Sequence, residues 1–157
     1  MEMLDPPGWL WGLSLIVLTT ALHAMAVVIL AFVQVSIRDR LEPRGVELWK
    51  LIAILICIIG VIGLLLAVLH GIECWIWAVA YLSLGALHSP TDAFLFSLDS
   101  MSTRGASGVT LERPWQLIGA LEAVNGMLLF GVSTAFIFAV MQTYWPLLSA
   151  HVPSNKS

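Results

Sequence analysis

The chain has 157 residues, 59 % of them apolar and only 11 % charged, with a mean hydropathy of +0.94. Soluble domains carry about 25 % charge and about 45–50 % apolar residues, so this composition excludes an ordinary soluble enzyme and a disordered chain. A net charge of −3 excludes a nucleic-acid partner as well. The length allows one domain, and two cysteines, Cys57 and Cys74, are too few for a disulfide framework or a zinc site. The class is integral membrane protein, with lipid as its surroundings.

The first apolar stretch, Trp9 to Ile37, holds no Lys, Arg, Asp or Glu. About 20 such residues suffice for a helix to cross a hydrocarbon core of about 30 Å. Glu2 and Asp5 precede it instead of a basic segment, and the run exceeds the roughly 7–15 residues of a signal-peptide core, so it reads as a span. His23 inside it reads as an imidazole bonded to a neighbouring helix, with a proton relay as the alternative. The hinge that follows contains Arg38, Arg40, Arg44 and Lys50, four of the seven basic residues, with Pro43 and Gly45 making the turn. Basic short loops stay cytoplasmic, which puts this loop inside and the N-terminus outside.

The second stretch, Leu48 to Leu87, contains one clean crossing, Leu51 to Leu69. The remainder begins with His70, Gly71 and Glu73 and carries Trp75, Trp77 and Tyr81, an expected aromatic belt at the outer interface. It is either an extension of the second helix or a short interfacial helix. His70 and Glu73 stand three apart and read as a hydrogen-bonded pair; two ligands make no metal site, and no metal is expected. Cys74 reads as a free thiol, with an inter-subunit disulfide as the alternative. The third stretch runs from Trp115 to Tyr144, closed by Trp145 and Pro146.

Between the second and third stretches, "HSPTDAFLFSLDSMS" offers Ser89 as an N-cap, Pro90 at the first helical position and Asp92 at the positive helix end. A helix over Thr91 to Ser102 would be about 18 Å long, roughly half the hydrocarbon core. "TRGASG" (Thr103 to Gly108) and the polar "VTLERP" follow it. A short helix that enters the membrane and a glycine-containing return make a re-entrant loop, whose carbonyl end favours a cation.

This segment resembles the pore module of the tetrameric potassium channels: outer helix, pore helix, filter T-V-G-Y-G, inner helix. "FSLDSMST" is similar to the pore-helix ending, with Ser97 and the acidic Asp99 where many members carry a serine and a Glu or other polar residue, and it implies that Asp99 supports the filter. Thr103 and Gly105 match the first and third filter positions. Gly126 matches the inner-helix hinge glycine, and "GMLLFGVSTA" keeps Phe-Gly and Thr-Ala of that helix. The resemblance covers about Leu48 to Val140 and leaves Trp9 to Ile37 outside. It implies a filter over Thr103, Arg104, Gly105, Ala106, Ser107 and Gly108, and a cavity near Glu122, Asn125, Gly126 and Thr134. No internal repeat is visible, so one module per chain implies a homotetramer.

The filter departs from the pattern. Stacked backbone carbonyls replace the ion's water shell in a potassium filter, and glycine supplies the positive φ this requires. Ser107 stands where the second glycine belongs, Ala106 replaces the tyrosine, and Arg104 replaces a small apolar residue. Arg104 has two readings, a buried ion pair with Asp99 behind the loop or a basic ring on the axis; the pair is favoured because unpaired buried arginines are expensive. Glu122 and Asn125 are either inter-helix hydrogen-bonding groups, with Glu122 bonded to the back of the pore helix, or cavity-facing polar groups.

The expected fold is all-α and transmembrane, with three spans, a re-entrant pore helix and a filter-like loop, assembling as a tetramer. Residues 1–45 form the first helix and basic loop, 46–145 the potassium-channel-like pore module, and 146–157 a short polar tail. The expected function is passive cation conduction of altered selectivity in a plasma membrane of bacterial type, with the C-terminus cytoplasmic. No cofactor is expected beyond a monovalent cation such as K⁺ in the pore. A non-conducting scaffold protein is the alternative. Catalysis or proton-coupled transport by Glu122, His23 or His70 ranks below both, for want of a nucleophile–base set and an inverted repeat.

Overall fold

The computed structural model describes residues 6–41, 47–105 and 107–150. Its elements are helices α1 (Pro6–Leu41), α2 (Leu48–Ser83), α3 (Pro90–Met101) and α4 (Gln116–Ser149), with a 3₁₀ turn at Arg113–Trp115 leading into α4. Three segments, Gly8–Leu41, Leu48–Ser83 and Arg113–Ser149, are long and apolar enough to cross a membrane. At about 1.5 Å per residue each long helix exceeds the roughly 30 Å of a hydrocarbon core. Leu10, Val17, Phe32, Ile56, Leu64, Met127 and Phe138 are among the large apolar side chains left exposed along them. Such helices are consistent with an integral membrane protein, because lipid is the solvent that such faces require.

The basic hinge is shorter than the sequence suggests. Arg38 and Arg40 belong to the last turn of α1 and Lys50 to the first turn of α2; Pro43, Arg44 and Gly45 lie outside the described residues. Of the two readings of His70 to Leu87, the extension is the observed one, since α2 runs unbroken to Ser83. It stops in a Schellman motif: Ala86 N–H donates to Tyr81 O at 2.9 Å and Gly85 N–H to Leu82 O at 3.1 Å. Gly85 takes the left-handed conformation this cap needs, at φ +70°.

The chain forms two compact units, and α1, α2 and α4 each contribute to both. The first joins α1 up to Ala24 with Val68–Gly131; the second joins Met25–Ala67 with the chain from Val132 onward. The core of the first contains Leu15, Cys74, Trp77, Ala78, Tyr81, Ala93, Met101, Ile118 and Leu129. Trp77 and Tyr81 are wholly buried there, while Trp75 is half exposed, so the expected aromatic belt is instead largely core. For Tyr81 part of the reason is α3, which packs back onto α2. Phe96 meets Tyr81 edge-on at 5.3 Å between centroids, and Phe94 stacks on Trp75 at 4.9 Å. In the second unit Tyr144 is buried and its hydroxyl lies 3.0 Å from Gln34 Oε1.

Candidate functional site

Local sequence fixes α3. The Ser89 hydroxyl accepts from Asp92 N–H at 3.3 Å, Pro90 opens the first turn, and Asp92 sits at the positive end of the helix. Near the other end, Asp99 is buried and organises the chain that follows. Its Oδ1 accepts from Arg104 Nε at 2.7 Å, its Oδ2 from Ser107 N–H at 3.0 Å, and its backbone carbonyl from Arg104 N–H at 3.1 Å. The Arg104 side chain is 67 % exposed in the single chain and Asp99 5 %, so the ion pair is present but the arginine in it is not buried. Arg104 leaves the helix at the surface, and only its partner is enclosed.

Positive φ falls on Thr103 (56°), Gly105 (65°) and Gly108 (74°). The serine expected to be strained, Ser107, is not among them; Gly108 takes the left-handed position one place later, relieving the steric cost on an L-residue. Thr103 bears that cost instead, with its N–H donating to Ser100 O at 3.0 Å. Ala106 lies outside the described residues. An open cavity of about 420 Å³ is lined by Asp99, Thr103, Gly105, Ser107 and Gly108, with Ala123 of α4 among the other walls.

Glu122 and Asn125 face the interior of the first unit, one turn apart on α4. Glu122 Oε2 accepts from the Tyr81 hydroxyl at 2.6 Å, and its Oε1 from the Ser97 hydroxyl of α3. Of the two readings of Glu122, the geometry matches the bond to the back of the short helix. Asn125 Nδ2 donates to Thr19 Oγ1 at 2.7 Å, and Thr19 donates in turn to Leu15 O at 2.8 Å. Gly126 lies against the end of α3: a Cβ there would come within 2.7 Å of Met101 Cα and collide with Met101 O. α4 runs through Gly126 without a break. Thr134 is exposed and belongs to the second unit. Cys74 is a buried free thiol with its Sγ 3.3 Å from Met101 Sδ.

A third group, unforeseen as a set, gathers His23 of α1 with His70 and Glu73 of α2. His23 Nδ1 lies 2.9 Å from Glu73 Oε1, and His70 Nδ1 lies 3.1 Å from Glu73 Oε2. His23 is 1 % exposed and Glu73 is fully enclosed. Phe130 of α4 stacks on His70 with centroids 4.4 Å apart. The pairing of His70 with Glu73 was legible from their spacing; the third member comes from 50 residues away. The one available signal is that ionisable groups in apolar runs need partners, which left His23 and Glu122 as the candidates within the other two long spans.

No family model, curated protein or solved structure matches the chain. The structure therefore brings together Asp99, Arg104 and Ser107, then Ser97, Tyr81 and Glu122, then His23, His70 and Glu73.

Proposed function

We propose that the chain is a pore-loop cation channel, or a channel-like membrane protein, related to the potassium channels. It acts as a homotetramer by passive permeation, without catalysis, with the loop around residues 38–50 and the C-terminus cytoplasmic and the N-terminus outside. The observation that carries this reading is the seat of α3 on α4. A twelve-residue helix ends, at Met101, against the backbone of a membrane-length helix at Gly126, and a return loop follows immediately. Tyr81, Ser97 and Glu122 tie α2, α3 and α4 together behind that contact. A half-length helix held this way aims its carbonyl end, with its partial negative charge, into the pore module, where a cation is favoured.

A specific observation favours the alternative, a scaffold that does not conduct. With Ser107 outside positive φ and Gly108 in it, the alternation of φ expected of a potassium filter slips by one residue. Purified protein in liposomes decides between them. Cation flux down an imposed K⁺ or Na⁺ gradient is the expected result, with weak discrimination between the two ions because the carbonyl stack is incomplete. Absence of flux from a well-formed tetramer, its copy number established by cross-linking, selects the scaffold.

A further inference from the structure

We propose that His23, His70 and Glu73 form a binding site for one divalent transition-metal ion of the zinc class. Two of these residues on one turn of α2 make no site, and α1 supplies the third ligand. Two imidazoles and one carboxylate are a donor set that suits zinc, leaving the fourth tetrahedral position to an exogenous ligand. Their ligand atoms all lie within 4.8 Å of one another, and the two His–Glu separations are 2.9 and 3.1 Å. Ligand atoms around a tetrahedral ion with bonds of about 2.0–2.1 Å stand roughly 3.3 Å apart. The two His–Glu contacts go to different oxygens of Glu73, so an ion is admitted by a small rotation of the carboxylate that draws ligand atoms now up to 4.8 Å apart towards one centre.

Three further features fit. Glu73 is fully enclosed and turns one carboxylate oxygen to each imidazole, Oε1 to His23 and Oε2 to His70, so both rings already converge on the one acidic group. Phe130 stacks on the His70 ring and restricts its rotation, so less order has to be imposed when an ion arrives. The two imidazole centroids are 5.2 Å apart, close enough to share one ion rather than hold two. A bound ion would fasten α1 to α2 within the first unit. This proposal does not depend on whether the chain conducts.

The test uses the full chain in detergent, purified on a tag without histidine, stripped by a chelator and titrated with Co²⁺ as a spectroscopic probe. One equivalent per chain is expected, with ligand-field bands of a four- or five-coordinate nitrogen and oxygen site, displaced by Zn²⁺. His23→Gln and Glu73→Gln should each weaken binding at least about tenfold, while His88→Gln, on an exposed residue, should leave it unchanged. No saturable binding by the folded wild type overturns the proposal, as does wild-type affinity in both His23→Gln and Glu73→Gln. A thiolate-to-cobalt charge-transfer band overturns it too, by assigning the ion to a cysteine. Should either variant fail to fold, X-ray absorption of the zinc-loaded wild type decides: two imidazoles in the first shell support the site, none or one refutes it.

Discussion

Asp99 holds the return loop with both carboxylate oxygens, and its bonds to Arg104 and to Ser107 are unequal in energy. The bond to Arg104 joins a mostly exposed guanidinium, so solvent screens it and the pair is worth less than about 1 kcal/mol. The bond to Ser107 N–H joins a buried carboxylate to a backbone donor with no obvious substitute. Arg104→Val should therefore leave thermal unfolding in detergent nearly unchanged, whereas Asp99→Ala should cost about 1–3 kcal/mol. Equal losses from the two would show that the arginine becomes enclosed in the assembly. Glu122 poses the opposite situation, with every neighbour buried. Glu122→Leu orphans the Tyr81 and Ser97 hydroxyls at about 1–3 kcal/mol each. Adding Tyr81→Phe and Ser97→Ala should recover much of that loss, because apolar groups of similar shape need no partner. A triple variant no more stable than Glu122→Leu would contradict this account.

At the scale of elements, the decisive contact is between α4 and the end of α3. Gly126 is required by close approach of backbone to backbone, since α4 is helical without interruption through it and the obstacle is Met101 itself. A methyl group there must push backbone aside, which flexible side chains elsewhere avoid. Gly126→Ala should cost about 1–3 kcal/mol in a melting experiment. Gly131→Ala, five residues on with nothing within 4 Å of the added carbon, should be neutral or stabilise the helix by about 0.5–1 kcal/mol. If Gly126→Ala left stability intact but altered flux, a hinge would be the better explanation. The path of α2 has a similar lesson. Trp77 and Tyr81 belong to a residue class that favours interfaces, yet both are core of the first unit, where Phe96 of α3 meets Tyr81 edge-on.

For the whole molecule, the distribution of charge predicts orientation. Arg38 and Arg40 end α1 and Lys50 begins α2, leaving a basic junction between two spans. Positive charge near short loops keeps them on the cytoplasmic side. Arg40→Cys in intact cells should therefore resist an impermeant thiol reagent added outside and react once the membrane is opened. Reaction from outside would invert the topology and place the return loop on the cytoplasmic face.

Apolar runs longer than a bilayer is thick, with almost no charge in them, determined three membrane-length helices without any knowledge of packing, because burying charge in lipid costs more than local propensity can offset. Ser89, Pro90 and Asp92 likewise determined the start of α3, since capping involves atoms only a few residues apart. Partnerships across the chain were decided otherwise. His23 meets Glu73, Glu122 meets Ser97 and Tyr81, and Asn125 meets Thr19 over separations of 25 to 106 residues. The long helices are apolar on nearly every side, so no polar stripe marks the face that turns inward, and sequence leaves the rotation of each helix open. Packing of small residues such as Gly126 against neighbouring backbone fixes that rotation. Only the tertiary structure could turn two histidines and a glutamate into one cluster.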